Sequence, residues 1–509
     1  MKINQIKAGI IVSYVSQFIH ILTGLIYTPI MLRLLGQNEF GLYQLIYSIV
    51  SYLGLLSLGF GSAYMRFYSR KKAENNEEGI AKLNGLFFII FNLITIISII
   101  CGIFLITNIR SILNENLTYQ EFKTAKVLMI LMLIDVALTF INTVFNCIVT
   151  SQEKFLFQKS LILLQYLLNP FLTIPLLITG YGSIGMAMIS TLLTFSVLML
   201  NIYYCIVKLH AKFIFKGFEF GLLKEIWFFT FFIFLNQIID QINLNIDKFL
   251  LGRIIGTTSV AIYGVGSQIN NLYMQLSSSV SNVFIPKVNM AIAENRINDE
   301  ITSIFIKVGR IQFLIISLIF FGFAFWGEQF IKLWAGNDYY DSYLVALILM
   351  LPVSVPLIQN IGIEIQRAKN KHKARSIVYF LIAIANIAIS IPLITLWGPI
   401  GATLGTAISL VIGNILFMNW YYYKKLDIDI PKFWKSISQF IPGLIIPSFY
   451  AIVVTNYFSY SGKLIFTLQL VIYTVLFFVS MYFISMNNYE KKHIRSILNK
   501  IFFHKGINV

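Results

Sequence analysis

The sequence predicts an all-α polytopic membrane protein with about fourteen transmembrane helices. They form two six-helix lobes around a central cavity, plus two C-terminal helices. Three observations carry that prediction. The 509 residues are 57% hydrophobic and only 12% charged, with mean hydropathy +0.77, whereas soluble chains carry roughly twice that charge fraction. Unbroken apolar runs such as 86–106 and 464–486 reach the ~20 residues a helix needs to cross hydrocarbon. They exclude a β-barrel, whose strands are short and alternate. Finally, two halves of the chain resemble each other.

Taken in order, the spans fall near 8–35, 39–68, 80–107, 119–150, 157–179, 181–207 and 220–253 in the first half of the count. The rest fall near 257–293, 301–327, 341–367, 374–397, 399–423, 432–457 and 463–487. The chain opens MKINQIKAG and runs directly into a long span. No small-residue cleavage site ends a short apolar region, so this reads as a retained first helix. Proline marks bends in the first span (Pro29), the fifth (Pro170, Pro175) and the tenth (Pro352, Pro356), because each removes a backbone hydrogen bond. The six tryptophans fall near span ends, as an aromatic belt would. The tail 488–509 is basic with Ile, Leu and Phe interleaved, a pattern open to two readings, an interfacial amphipathic helix on anionic lipid or a disordered segment.

An even number of crossings returns the chain to its starting side, so charge tests the topology. With the N-terminus inside, thirty-one of the 39 Lys and Arg lie on the inner side and seven on the outer; Lys248 alone sits within a span. The bias places both termini on the inner, cytoplasmic side. It also accounts for the net charge of +17, so no nucleic-acid partner is implied. Cys101, Cys147 and Cys205 lie in apolar runs, which implies neither a disulfide framework nor a metal site. No GxxxxGK[ST] phosphate loop is present, so ATP hydrolysis is not expected.

One hairpin, 236–282, breaks the apolar pattern. Asn236, Asp240, Asn243 and Asp247 recur at helical spacing and share a face; Gln237, Gln241 and Lys248 lie on the adjacent stripe. After a Gly-Thr-Thr turn come Gln268, Asn271, Gln275, Ser278 and Asn282. Ionised groups at mid-bilayer cost about 2.5–3.5 kcal/mol each. Such a hairpin must face protein or a wet cavity.

The repeat says where that cavity lies. Arg33-Leu-Leu-Gly36 followed by Tyr43 matches Arg253-Ile-Ile-Gly256 followed by Tyr263, both 220 residues apart. Gly182-Ser-Ile-Gly185 matches Gly398-Pro-Ile-Gly401 at 216. Spans 1–6 and 7–12 are therefore expected to be two copies in one orientation, with a site between them. The resulting organisation is an N-terminal lobe 1–210, a C-terminal lobe 211–426, two further spans in 427–487, and the basic tail. By the same offset Asp240 corresponds to His20 and Lys248 to Thr28. The first span adds Ser13, Gln17, Gly24 and Tyr27 at helical spacing.

Fourteen spans in this arrangement, with a G-x-x-E-F-G-x-Y element after the first (Gly36, Glu39, Phe40, Gly41, Tyr43), resemble the polysaccharide-flippase branch of the multidrug/oligosaccharidyl-lipid/polysaccharide exporter superfamily, the O-antigen or Wzx-like flippases. The resemblance spans essentially the whole chain. It implies translocation of a polyprenyl-pyrophosphate-linked oligosaccharide from the inner to the outer leaflet by alternating access, with proton or sodium coupling and no bound cofactor. Polysaccharide polymerase machinery and membrane lipids are the expected partners.

A pyrophosphate crossing hydrocarbon needs a hydrated cavity with a cation. Lys248 is the intramembrane candidate; Arg66 and Arg310, at inner span ends, could first meet the phosphates. Lys248 could instead pair with Asp240, Asp247 or Asp135. Arg33 and Arg253 serve either substrate or the outer interface. Asn236, Asn243, Gln268, Asn271, Gln275, Gln17 and His20 suit sugar hydroxyls or interhelical hydrogen bonds, and Asp240, Asp247 and Asp135 suit a coupling ion. Two other functions compete: a membrane-embedded glycan polymerase or glycosyltransferase, and a multidrug exporter. Asp427-Ile-Asp429 has the spacing of a nucleotide-sugar DxD, but its loop has no attached nucleotide domain and reads as a solvated turn.

Overall fold

A computed structural model describes residues 5–113, 117–217, 220–281, 284–294, 298–369, 371, 373–457, 462–488 and 490–492. Asn282 and the tail beyond 492 lie outside the described residues. Every regular element within them is helical. The chain divides into two compact units. The first comprises Met1–Gly266, Trp334–Val345 and Ser376–Ser409; the second comprises Ser267–Leu333, Ala346–Arg375 and Leu410–Val509.

The first unit holds α1 (Gln5–Leu35), α2 (Gln37–Ser51), α3 (Phe60–Ala73), α4 (Glu77–Thr107), α5 (Ile109–Leu113), α6 (Tyr119–Ser151), α7 (Phe155–Ile178), α8 (Gly182–Tyr203) and α9 (Phe220–Ile254). It also holds the opening turns of α10 (Thr257–Ser281) and most of α15 (Lys373–Leu410). Local chemistry starts these helices. Asn76 accepts from the Gly79 amide at 2.7 Å ahead of α4. Thr118 and Glu121 form a reciprocal capping box on α6, which satisfies donors that a helix start leaves orphaned. Packing follows on an aromatic core of Tyr64, Phe67, Phe87, Phe91 and Phe145, where the Tyr64 hydroxyl donates to Asn84 at 2.7 Å. Burying rings of this size supplies much of the packing energy.

The repeated glycines break the backbone alike. Gly36 and Gly256 have φ of +76° and +132°, and Gly182 and Gly398 have φ of +53° and +58°. Side chains other than glycine rarely adopt this region. Gly398 kinks α15 into two helical arms. Glu39 of the G-x-x-E-F-G-x-Y element also acquires a role. Its Oε1 accepts from the Ser183 amide at 2.7 Å and the Ser183 hydroxyl at 2.8 Å, placing a carboxylate at the N-terminus of α8. At Gly41 a Cβ would stand 1.9 Å from the Thr257 carbonyl oxygen, so glycine lets α2 meet the start of α10.

The second unit holds the remainder of α10, then α11 (Ile285–Ala293), α12 (Asn298–Trp334), α13 (Ser342–Ile358), α14 (Ile361–Ala368), α16 (Met418–Lys425), α17 (Ile430–Ser438), α18 (Ile441–Tyr457) and α19 (Lys463–Ser480). Trp326 is 1% exposed among Phe440, Tyr473 and Phe477 and donates to Gln469 at 3.4 Å. Trp326 and Trp334 are thus core residues rather than belt residues, while Trp227, Trp397 and Trp420 are exposed as the belt requires. Pro352 and Pro356 lie inside α13, and the axis turns 48° on entering α14. Asp429 accepts from the Lys432 amide at 2.9 Å and caps α17. The Asp427-Ile-Asp429 turn therefore has a helix-starting role.

Nine helices among the described residues are long and apolar enough to cross a membrane, or eleven when the bent pairs α13–α14 and α17–α18 each count once. This is an all-α multi-pass membrane protein. One of the nine, Arg375–Lys425, has 51 residues. A count of fourteen requires it to cross twice about Gly398, and requires α9 and α10, whose polar stripes keep them out of the nine, to cross as well.

Candidate functional site

The most developed polar site lies on α9, α10 and the two arms of α15, all in the first unit. Asp247 is 1% exposed. Its Oδ2 accepts from the Tyr263 hydroxyl at 2.6 Å and the Thr406 hydroxyl at 2.5 Å. Behind Thr406, Asn386 Nδ2 donates to its Oγ1 at 3.2 Å, and Ser390 Oγ donates to Asn386 Oδ1 at 3.0 Å. Ser390 also stands beside Asp247. Among the described residues Asp247 Oδ1 has no hydrogen-bond partner.

Local sequence explains how so many polar groups converge. The α9–α10 turn at Gly256 returns Tyr263 to the level of Asp247. The kink at Gly398 folds the arms of α15 together. At Gly405 a Cβ would fall 2.2 Å from Ser390 Oγ, and at Gly401 one would fall 1.9 Å from the Leu393 carbonyl oxygen. Close approach of helices through small residues is how membrane interiors bring polar side chains into contact. The donor set is a carboxylate, an amide oxygen and three hydroxyl oxygens. Hard oxygen donors suit a small hard cation or a proton rather than a soft transition metal. Among the described residues no group of three or more His, Cys, Asp or Glu is arranged to hold a metal ion.

Lys248 follows Asp247 but points elsewhere, because adjacent helical residues project about 100° apart. It is 9% exposed, and its Nζ donates to Gln44 Oε1 on α2 at 3.1 Å. Gly252 allows this approach, since a Cβ there would meet Leu45 at 2.4 Å. The two neighbours therefore join α9 to different partners.

The other expected cations are placed differently. Arg66 is exposed and stacks 4.7 Å over the Phe229 ring. Arg33 and Arg253 are exposed at the C-terminal ends of α1 and α9. Arg310 departs from its expected role of meeting phosphate. It is 2% exposed, and its guanidinium bonds Glu490 through two nitrogens, at 2.5 and 3.0 Å. It also reaches Ser436, Gln439 and the Ser485 carbonyl, and packs over Phe440. A guanidinium buried this deeply has to be paired, and this one has spent its donors.

Along the α9 stripe burial increases. Asn236 and Asp240 are exposed, Asn243 is half-buried and Asp247 is buried. Asn236 accepts from Ser376 at 3.1 Å. On α10, Gln268, Asn271 and Gln275 are half-buried. On α1, Gln17 is half-buried, and His20 packs its ring 4.4 Å from that of Tyr166. Asp135, on α6, is half-buried and hydrogen-bonds Thr194. Sequence reading missed Tyr263, Asn386, Ser390 and Thr406 as site residues. Their signal was present: Asn386 and Ser390 are polar at helical spacing inside an otherwise apolar span.

The chain matches the family model described as "Polysaccharide biosynthesis protein" over residues 6–290. It is 19% identical over 407 residues to a Shigella flexneri protein named "Putative O-antigen transporter", covering 78% of this chain and 92% of that one. In structure it is similar to the lipid II flippase MurJ in an inward closed conformation, with TM-score 0.74 and 17% identity over 96% of this chain and 100% of that one. It is also similar to a multidrug resistance MATE family transporter in an inward-facing conformation, with TM-score 0.63 and 15% identity over 82% and 96%.

Proposed function

Because this chain belongs to the polysaccharide biosynthesis protein family, we propose that it is a flippase for a polyprenyl-pyrophosphate-linked oligosaccharide. It carries that substrate from the inner to the outer leaflet of the cytoplasmic membrane by alternating access, with both termini cytoplasmic. The observation that carries the mechanism is the oxygen-lined niche around a buried carboxylate, Asp247, in an intramembrane helix. Intramembrane carboxylates are expensive and mark ion pathways. Sodium or a proton at Asp247, held with Tyr263, Thr406, Asn386 and Ser390, supplies the coupling. The Shigella flexneri relative, by its name, and the fold shared with MurJ support the transport reading. Two six-span repeats, 1–210 and 211–426, with spans 13 and 14 appended, provide the frame; the paired glycine breaks support it.

Transport rather than catalysis is the activity. Asp429, which a transferase reading would need, is occupied in capping α17. Lys248 remains the intramembrane cation available to the pyrophosphate, and the half-buried amides of α10 suit the glycan. Polymerase machinery would take the product on the outer face.

Deletion tests the reading. Lipid-linked units should accumulate on the inner leaflet while surface glycan is lost. Units that still reach the outer leaflet and stay unpolymerised would sink it. Asp247→Asn keeps acceptors for Tyr263 and Thr406, so it should fold normally yet lose gradient-driven flipping in proteoliposomes.

A further inference from the structure

The second span is a single apolar run of 37 residues, Gln37–Ala73, yet its backbone breaks partway along. After α2, residues Tyr52–Ser57 tighten into a 3₁₀ helix. Leu58 and Gly59 then turn left-handed, with φ of +48° and +73°, before α3 starts at Phe60. Leucine is strained in that region, because its Cβ crowds the following carbonyl oxygen. The Tyr52 hydroxyl is buried at the same break with no hydrogen-bond partner among the described residues, which is also unfavourable. A 3₁₀ stretch inside a longer helix often marks a hinge. At the repeat offset of 220 the matching residues, 272–279, stay α-helical inside α10. The break therefore belongs to this span and not to the repeat.

The two halves of the span have different neighbours. α2 is tied to α9 and α10: Gln44 accepts from Lys248 at 3.1 Å, Asn38 accepts from Thr258 at 2.8 Å, and Gly41 admits the Thr257 carbonyl oxygen. α3 instead buries Ala63, Tyr64, Phe67 and Tyr68 in the aromatic core with Phe87 of α4 and Phe145 of α6. It meets α9 along one stripe. Gly59 faces Ile233, where a Cβ would fall 2.4 Å from the isoleucine side chain. Arg66 lies 4.7 Å over the Phe229 ring, and Arg70 pairs with Glu225 at 3.2 Å. Residues 225, 229 and 233 are four apart, so they share one edge of α9. The seam is tight at Gly59 and weakens toward Arg70, because the side chains of the Arg70–Glu225 pair are 59% and 46% exposed and exposed pairs contribute little.

We propose that residues 52–59 form a hinge at which α3 parts from the N-terminal turns of α9, with Gly59 against Ile233 as the pivot. α3 stays with α4 and α6, α2 stays with α9 and α10, and the hinge takes up the angle. The Arg70 end of the seam opens and uncovers Ile226, which is buried in the same aromatic core. In the open form Leu58 returns to a right-handed conformation. The strain released there offsets part of the lost packing, which holds the two forms close in free energy. The hinge rests on the alternating-access reading for its purpose, and its test separates the two.

Spin-label distances in the full-length protein in lipid nanodiscs test it, with Cys101, Cys147 and Cys205 replaced by alanine. Labels at Ser69→Cys and Lys224→Cys report on α3 against α9, and labels at Tyr47→Cys and Ile255→Cys report on α2 against α9; all four positions are exposed. The first pair should show two distances and the second pair one. Leu58→Gly removes the strain of the closed form and should favour the shorter α3–α9 distance about tenfold. Leu58→Asn, which also tolerates a left-handed backbone, should act in the same direction and serves if Leu58→Gly misfolds. Glu225→Gln should shift the balance about twofold the other way. A single α3–α9 distance common to all these proteins overturns the hinge, and so does a shift toward the longer distance in both Leu58 variants. An α2–α9 distance that changes in step with the α3–α9 distance also overturns it, because the span then moves as one rod. Transport is judged apart, by deletion. Lost surface glycan with a fixed α3–α9 distance leaves the transport reading standing without this hinge. Distances that shift as stated, with surface glycan intact after deletion, uphold the hinge and overturn transport.

Discussion

Replacing Arg310 with Met separates a structural cation from a substrate-binding one. Arg310 and Glu490 are 2% and 6% exposed, and two nitrogens of the guanidinium meet the two oxygens of one carboxylate. The Arg310→Met side chain leaves Glu490 charged, buried and without its partner. It also strips a donor from the carbonyls of Ser436 and Ser485. Breaking a buried pair from one side costs about 3–5 kcal/mol. Among the described residues Glu490 then keeps the Asn487 amide, at 2.9 Å, a neutral donor that does not offset that loss. Removing both charges, in Arg310→Met with Glu490→Gln, should recover most of the stability, because a neutral replacement of a buried pair is often close to neutral in free energy. Thermal unfolding in nanodiscs across the four proteins of this double-mutant cycle measures the coupling. Arg310→Met should melt well below the wild type and the double variant close to it. If Arg310→Met melts like the wild type but loses glycan transport, the structural reading of the Arg310–Glu490 pair is wrong and Arg310 serves the substrate.

Three further outcomes follow from the same geometry. Lys248→Met removes a buried charge that makes one bond to Gln44; it should melt within about 1 kcal/mol of the wild type and abolish surface glycan, and full display would remove Lys248 from the mechanism. Gly41→Ala puts a methyl 1.9 Å from the Thr257 carbonyl oxygen, so expression and melting should both fall, by an amount typical of overpacking, about 1–3 kcal/mol; normal melting would show that α2 and α10 are not so closely packed. Glu39→Gln keeps an acceptor for Ser183 and should cost about 0.5–1 kcal/mol of helix-terminus stabilisation, whereas Glu39→Ala should cost more, and equal melting of the two would disprove the capping role.

Composition and hydropathy made the helical membrane class legible, because they are properties of whole segments. Single residues were harder to place. The stripe from Asn236 to Asp247 was visible as a period, yet only its last member is buried; periodicity assigns a face but not the depth at which neighbours cover it. Arg310 looked like a phosphate contact because its partner Glu490 lies 180 residues away, and a single sequence does not display such pairings. Lys248 and Asp247 invited pairing by adjacency, whereas helical geometry sends them apart. Gly36, Gly256, Gly182 and Gly398 were informative in both views. Glycine at a matched turn in each repeat reports a backbone requirement that no side chain disguises.

The hydrogen bonds of Asp247 also carry a timetable. Its partner Tyr263 follows 16 residues later, but Thr406 follows 159 residues later. At about 5–20 residues per second of synthesis, the second partner emerges roughly 8–30 s after Asp247 itself. During that interval the newborn α9–α10 hairpin holds an acidic group with one tyrosine for company. Until Thr406 is made, Tyr263 is the nearer of these two partners in the chain and the one that can accompany Asp247 as the hairpin inserts.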